Sequence, residues 1–291
     1  MPIVNRAAKH AVALETTLLV HGVPKDSARP LADELNAIVE SQGASPALVG
    51  VVHGAPTVGM TPEELDTLLA ADSVAKANTA NLGVLMARGQ HAATTVSATM
   101  ELAAAAGVDV FATGGLGGVH PGYAEHLDIS SDLAAFTRFP VAVVTSGVKS
   151  ILDVLSTREA LETLGVPVVG FRTDHFPAFY LRESEAGVDA RFDDADELAS
   201  FLTAELARTG RGVVVANPIP ETNEINPDEW FNWLAEAERQ ADDAGATGRA
   251  RTPALLAALH TVSRGRTLAA NLALVRSNAT LAARLAAPAP H

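Results

Sequence analysis

An α/β protein, with a mostly parallel sheet, helices on both faces and a helical C-terminal cap, is the fold that the sequence predicts. Three observations carry the prediction. Short apolar, β-branched runs alternate with longer helical patterns along nearly the whole chain, several runs are apolar on both faces as buried parallel strands are, and only helical patterns follow residue 251. The composition agrees, because 48% hydrophobic and 19% charged residues in a chain of 291 are enough for a large packed core.

In chain order, Val12–Val20, Ala47–Val52, Leu82–Met86, Val108–Ala112, Val141–Thr145, Pro167–Gly170 and Gly212–Ala216 read as strands. Helical patterns fill the intervals at Arg29–Glu40, Thr94–Ala106, Ser150–Leu164 and Ala195–Arg208. Thr61-Pro62-Glu63-Glu64 opens another helix with a capping residue, a proline at the first helical position and an acid that can reach back, and Asn226-Pro227-Asp228-Glu229 repeats that logic before Trp230–Ala241. Pro253–Val262 and Thr267–Leu285 form the terminal cap. The stretch Asp242–Arg251 is the one linker candidate, and since only helices follow it, a single domain over 1–291 is expected, with the Ala286–His291 tail frayed.

Charge excludes some functions. With 21 Lys+Arg against 34 Asp+Glu the formal net charge is 21 − 34 = −13, which argues against a protein that binds nucleic acid by neutralising phosphates. No window approaches the roughly 18 uninterrupted apolar residues of a membrane span. Zero Cys rules out disulfides and thiolate chemistry, and a cytoplasmic location is expected.

Ligands of open α/β sheets sit at the carboxyl ends of the strands, and three unusual places fall there. Lysine is used sparingly, with four (Lys9, Lys25, Lys76, Lys149) among the 21 basic residues, yet Lys149 follows a buried-type strand and a Ser146-Gly147 turn. A lysine desolvated there, where the next helix opens, could serve as a Schiff-base nucleophile, although an ion pair with Asp153 fits the spacing as well. Glu15 interrupts an apolar run, where a carboxyl resists ionisation and can donate and recover a proton, unless it lies on a solvated edge beside Thr16 and Thr17. The glycine-rich segment Phe111–Gly122 could turn backbone amides onto an anion, although His120 breaks any dinucleotide fingerprint. Asp128 and Asp132 beyond it would share one helical face, where a hard divalent cation or a basic group relieves their repulsion.

Together these segments resemble the pseudouridine-5′-phosphate glycosidase family. The matching stretches are Ala13–Thr17 with His21–Pro24, Val74–Lys76, Ala93–Met100, Thr113–His120, Asp128–Leu133, Ser146–Asp153, Gly170–Asp174 with Phe176–Phe179, Ala216–Pro220, and Asn271, in the family's order from about residue 12 to 285. The resemblance implies reversible, metal-assisted cleavage of the C–C glycosidic bond of pseudouridine 5′-phosphate to uracil and ribose 5-phosphate. It implies that Lys149 is the imine-forming amine, Glu15 the general acid/base, and Asp128 the ligand of a divalent ion, typically manganese. Ser130, Ser131 and Asp132 match the substrate-contacting segment, and Lys76 and Val96 match further contacts. Asn271 resembles a base-contacting asparagine, and Thr113 and His120 fall at the expected phosphate end. The resemblance also implies a homotrimer and small-molecule partners only.

One departure stands out. After the lysine the family usually reads Ser-Arg-Arg-Asp-Leu, whereas here Lys76 is followed by Ala-Asn-Thr-Ala-Asn-Leu82. If those arginines grip phosphate, Lys76 cannot replace their bidentate donors. The loop Pro24–Pro30 also lacks the family's Pro-Tyr-Pro-x-Asn form. Two alternatives therefore accompany the glycosidase reading: a C-glycosynthase joining ribose 5-phosphate to another acceptor, and a non-catalytic phosphosugar-binding protein. The second has no use for a nucleophile.

Overall fold

The computed structural model describes residues 2–245 and 251–287, giving the backbone alone at 251–253 and 256. Among them eleven strands form one sheet: β1 (Val4–Asn5), β2 (Ala11–Glu15), β3 (Ser45–Val52), β4 (Ala55–Val58), β5 (Ala75–Ala77), β6 (Ala92–Thr94), β7 (Val110–Ala112), β8 (Ala142–Thr145), β9 (Val168–Phe171), β10 (Ala190–Phe192) and β11 (Val213–Ala216). The order is β1-β4-β3-β2-β7-β8-β11-β9-β10, with β6 added on β3 and β5 on β6. Only the β3–β4 and β3–β6 pairings are antiparallel.

The helices are α1 (Lys25–Ser41), α2 (Pro62–Ala70), α3 (Leu82–Ala87), α4 (Val96–Ala105), α5 (Tyr123–His126), α6 (Ser131–Ala135), α7 (Val154–Thr163), α8 (Ala195–Thr209), α9 (Pro227–Asp243), α10 (Arg251–Val262) and α11 (Arg266–Ala286). They cover both faces of the sheet, as β2 shows most directly. Val12 and Leu14 point into a core made with α1, α8 and α11, while Ala11 and Ala13 point into a second core made with α4 and α7. Both capping sequences act as expected. Thr61 accepts from the Glu64 amide at 3.3 Å while Glu64 accepts from the Thr61 amide at 2.9 Å, and Asn226 accepts from the amides of Asp228 and Glu229.

Four expectations are corrected. The first strand ends at Glu15 and not at Val20, because Leu18–Gly22 coils into a π-helical turn and the Thr16 hydroxyl takes the Val49 carbonyl at 2.8 Å. Leu82–Met86 is the helix α3, launched from a turn in which Asn78 and Asn81 bond each other's backbone, so a short apolar run was ambiguous between the two periods. Helix α1 begins four residues before Arg29 and carries Pro30 inside it. Helix α7 begins at Val154, capped by Asp153, so Lys149 lies in the turn ahead of it. The centre of the linker candidate and the end of the tail, 246–250 and 288–291, lie outside the described residues.

Candidate active site

Glu15 terminates β2, in register with Val49 of β3 and one residue beyond the last pairing with β7. Strand β7 ends at Ala112, and the next residue, Thr113, donates its hydroxyl to the Glu15 carboxylate. The carboxyl is only partly exposed, and the protein packed around it raises its pKa above the ordinary value. The charges of Lys149 and Lys76 and the Thr113 hydrogen bond oppose that rise, while the charge of Asp132 adds to it. Glu15 is thus an acid held back from ionising, with two ammonium groups in electrostatic reach.

Lys149 is placed by its backbone. Strand β8 leads into Ser146 and Gly147, whose φ of 83° is a glycine conformation, and a Cβ there would lie 1.7 Å from the Pro177 carbonyl oxygen. The chain then runs beside the glycine segment, Val148 bridging Leu116 and the Lys149 amide donating to the Leu116 carbonyl at 3.1 Å. The Asp153 ion pair is not formed, since both Asp153 carboxylate oxygens bond Ser156. Lys149 is exposed on the open side of the site, so the expected desolvation is not met. Lys76, on β5, also keeps solvent access, but enough protein surrounds its ammonium, with Lys149 nearby, to lower its pKa against the opposing pull of Glu15.

Asp132 has a different task from Asp128. Its carboxylate accepts the Ser97 amide at 3.0 Å, satisfying an otherwise orphaned donor at the start of α4, and the Gly117 amide at 2.9 Å. Buried on α6, it ties the glycine segment to α4, and a Cβ on Gly117 would meet the Ser130 hydroxyl at 2.3 Å. Ser130 caps α6 through the Asp132 amide at 3.2 Å, and Ser131 shares a 3.0 Å hydrogen bond with Ser97. Val96, the first residue of α4, is buried.

Asp128 stands apart, in the loop before α6, with a side chain 64% exposed and His120 Nδ1 4.0 Å away. The two aspartates therefore do not share a helix face. No three His, Asp or Glu side chains converge as a metal cage among the described residues. The donor set is one exposed carboxylate beside an imidazole, which fits an oxygen-preferring divalent ion that keeps most of its water.

Asn271 on α11 is half-buried, but its Oδ1 is buried close to Gly114 and has no hydrogen-bond partner. A buried acceptor left without a partner is free to take an N–H or O–H from a ligand or a water. Two residues were given no role by the sequence. His21 follows β2 close enough to Lys76 for its pKa to be lowered by burial and by that charge, and Asn278 lies two helical turns beyond Asn271. The seven-residue spacing of the two asparagines was the available signal.

Fold and site define an α/β enzyme whose acid lies in electrostatic reach of a lysine at the carboxyl edge of a parallel sheet. The family model described as "Indigoidine synthase A like protein" matches residues 4–288, and the chain belongs to that family. A pseudouridine-5′-phosphate glycosidase of Methylobacterium nodulans is 48% identical over 281 residues, covering 96% of this chain and 83% of that protein. One from Symbiobacterium thermophilum is 45% identical, covering 94% and 91%. The crystal structure of an indigoidine synthase A-like protein from Thermotoga maritima superposes with a TM-score of 0.88 at 38% identity, covering 98% and 95%. The prealnumycin C-glycosynthase AlnA, solved in complex with ribulose 5-phosphate, does so with a TM-score of 0.88 at 36% identity, covering 95% and 90%.

Proposed function

We propose that this protein reversibly cleaves the C–C glycosidic bond of pseudouridine 5′-phosphate, giving uracil and ribose 5-phosphate through an imine on Lys149. One observation carries the reading. Glu15, whose ionisation burial disfavours, lies in electrostatic reach of Lys149 at the strand ends. Relatives that share most of the chain and are named for this activity support it.

The residue types follow from the bond. Uracil C5 is a poor leaving group, so an oxocarbenium route driven by two carboxylates is insufficient. Glu15 donates its proton to the ribose ring oxygen as the C1′–O4′ bond opens, and the Lys149 amine nitrogen bonds to C1′. The nitrogen returns a proton to the Glu15 carboxylate, its lone pair expels the base as the C1′–C5 bond breaks, and that proton passes from Glu15 to C5. Water adds to the imine carbon, and ribose 5-phosphate leaves as the amine is regenerated. The sum is substrate plus water to uracil plus ribose 5-phosphate.

In this reading Lys76, Val96, Thr113, His120, Ser130, Ser131 and Asp132 line the bound phosphosugar, and Asn271 faces the base. Asp128 would hold the divalent ion, manganese by the family resemblance, which would supply Lewis-acid positive charge to the bound substrate. We also assign the protein to the cytoplasm as a homotrimer, the assembly being readable by light scattering.

Borohydride reduction in the presence of ribose 5-phosphate, followed by peptide mass spectrometry, tests the reading. It should leave a ribityl phosphate on Lys149, and its absence there counts against the imine. A C-glycosynthase is the second reading, favoured by the AlnA similarity and by the Asn-rich turn after Lys76. Release of uracil from pseudouridine 5′-phosphate, against coupling of ribose 5-phosphate to other aromatic acceptors, separates the two.

A further inference from the structure

Asn278 is wholly buried on α11 with both ends of its amide engaged. Its Nδ2 donates to the Thr113 carbonyl at 2.8 Å and to the Ser146 hydroxyl at 3.1 Å, while its Oδ1 accepts from Asn217 Nδ2 at 2.9 Å. These three partners follow β7, β8 and β11, adjacent strands whose ladders end there and leave carbonyls to be satisfied. A backbone carbonyl only accepts, so the amide nitrogen faces Thr113 and the orientation of the group is determined.

Two of the partners lead to the chemistry. Thr113, held by its carbonyl, donates its hydroxyl to Glu15. Ser146, held by its hydroxyl, begins the turn that ends at Lys149, and its carbonyl accepts the Phe179 amide at 2.9 Å. A leucine would fill much the same volume without burying polar atoms, so packing alone does not call for an asparagine.

We propose that Asn278 is a positioning residue that holds the acid and the amine in one mutual geometry, acting on Glu15 through Thr113 and on the Lys149 turn through Ser146. Its effect on turnover rests on the glycosidase reading, whereas its effect on the Glu15 carboxyl does not. Asn278→Leu, which keeps the bulk, and Asn278→Ala both remove the amide. Asn217→Ala is the structural control, since it removes the bond to Oδ1 and leaves the Thr113 contact in place. The Glu15 carboxyl is titrated by infrared difference spectroscopy against Glu15→Gln, beside Tm, kcat and KM.

Either Asn278 variant should raise the Glu15 midpoint by about one pH unit, as expected when a hydrogen bond to the charged form is lost. It should lower kcat by about tenfold to a hundredfold with KM within about twofold. Thr113→Val should raise the midpoint as much, and adding Asn278→Leu to it should raise it little further, because both act on one contact. Asn217→Ala should lower Tm while leaving the midpoint in place. Asn278 variants that lower Tm alone, with the Glu15 midpoint unmoved, would overturn the proposal. Wild-type protein inactive on pseudouridine 5′-phosphate would sink the glycosidase reading instead, and the midpoints would still decide the role of Asn278.

Discussion

On the two sides of the glycine segment lie acidic groups of opposite construction. Before it, Glu15 is packed round by protein and bonded by Thr113, and Asp132 across the segment spends both oxygens on backbone amides. After it, Asp128 is exposed and has only His120 at 4.0 Å for company. A carboxyl that must hold a proton benefits from low dielectric and a fixed partner, whereas one that shares a hydrated cation needs room for the cation's water. Variants should therefore behave differently on the two sides.

The largest effect is expected at the lysine that faces Glu15. Lys149→Ala should fold normally and lose turnover by several orders of magnitude, because without the amine the reaction must expel a carbon leaving group. Lys149→Arg should be equally inactive, since a guanidinium forms no imine. Steady-state turnover within about tenfold of wild type in either variant contradicts the assignment.

Glu15→Gln comes next, with an expected loss of about 10²–10⁴ in kcat. Stability should move the other way. Burial raises the folded-state pKa of Glu15, so from the ordinary carboxyl pKa up to the raised value the folded chain keeps a proton that the unfolded chain has released, and stability falls as pH climbs through that window. The glutamine variant lacks this loss. Its Tm should exceed that of wild type at about pH 8 and converge with it near about pH 4, and parallel curves at both pH values would contradict the buried-acid account.

The two aspartates beyond the segment, one exposed and one buried, should yield smaller effects and should separate. Asp128→Asn should raise the manganese concentration for half-maximal activity by about tenfold with Tm unchanged. Asp132→Asn should lower Tm, because two hydrogen bonds to a charged acceptor worth about 1.5–3 kcal/mol each are weakened, and should alter the metal requirement less. Equal metal dependence in both variants would erase the distinction.

The smallest effect is expected in the loop after Lys76. Arginine at positions 78 and 79 should lower KM for the 5′-phosphate by no more than about tenfold relative to unphosphorylated pseudouridine. The gain is limited because Asn78 already accepts the Ala80 and Asn81 amides at 2.9 and 3.2 Å, and arginine cannot replace that turn. Equal KM changes for both substrates would show that this loop does not read the phosphate.

What the sequence determined by itself was whatever local chemistry decides. The two-faced apolar runs specified buried parallel strands, and Thr61-Pro62-Glu63-Glu64 specified a helix start, because neither depends on distant partners. Glu15 and Lys149 stood out because a carboxyl in an apolar run and a rare lysine after a buried strand are anomalies visible in one dimension. Tertiary structure decided the rest. Leu82–Met86 became a helix because Asn78 and Asn81 close a turn before it, and a five-residue apolar run has no period of its own to resist. Asp128 and Asp132, four residues apart and chemically identical, were parted because only Asp132 finds the amides of Ser97 and Gly117, which come from other segments of the chain. The role of Asn278 was hidden for the same reason, since beyond its seven-residue spacing from Asn271 a buried amide acquires its meaning from the three strand ends that folding brings to it.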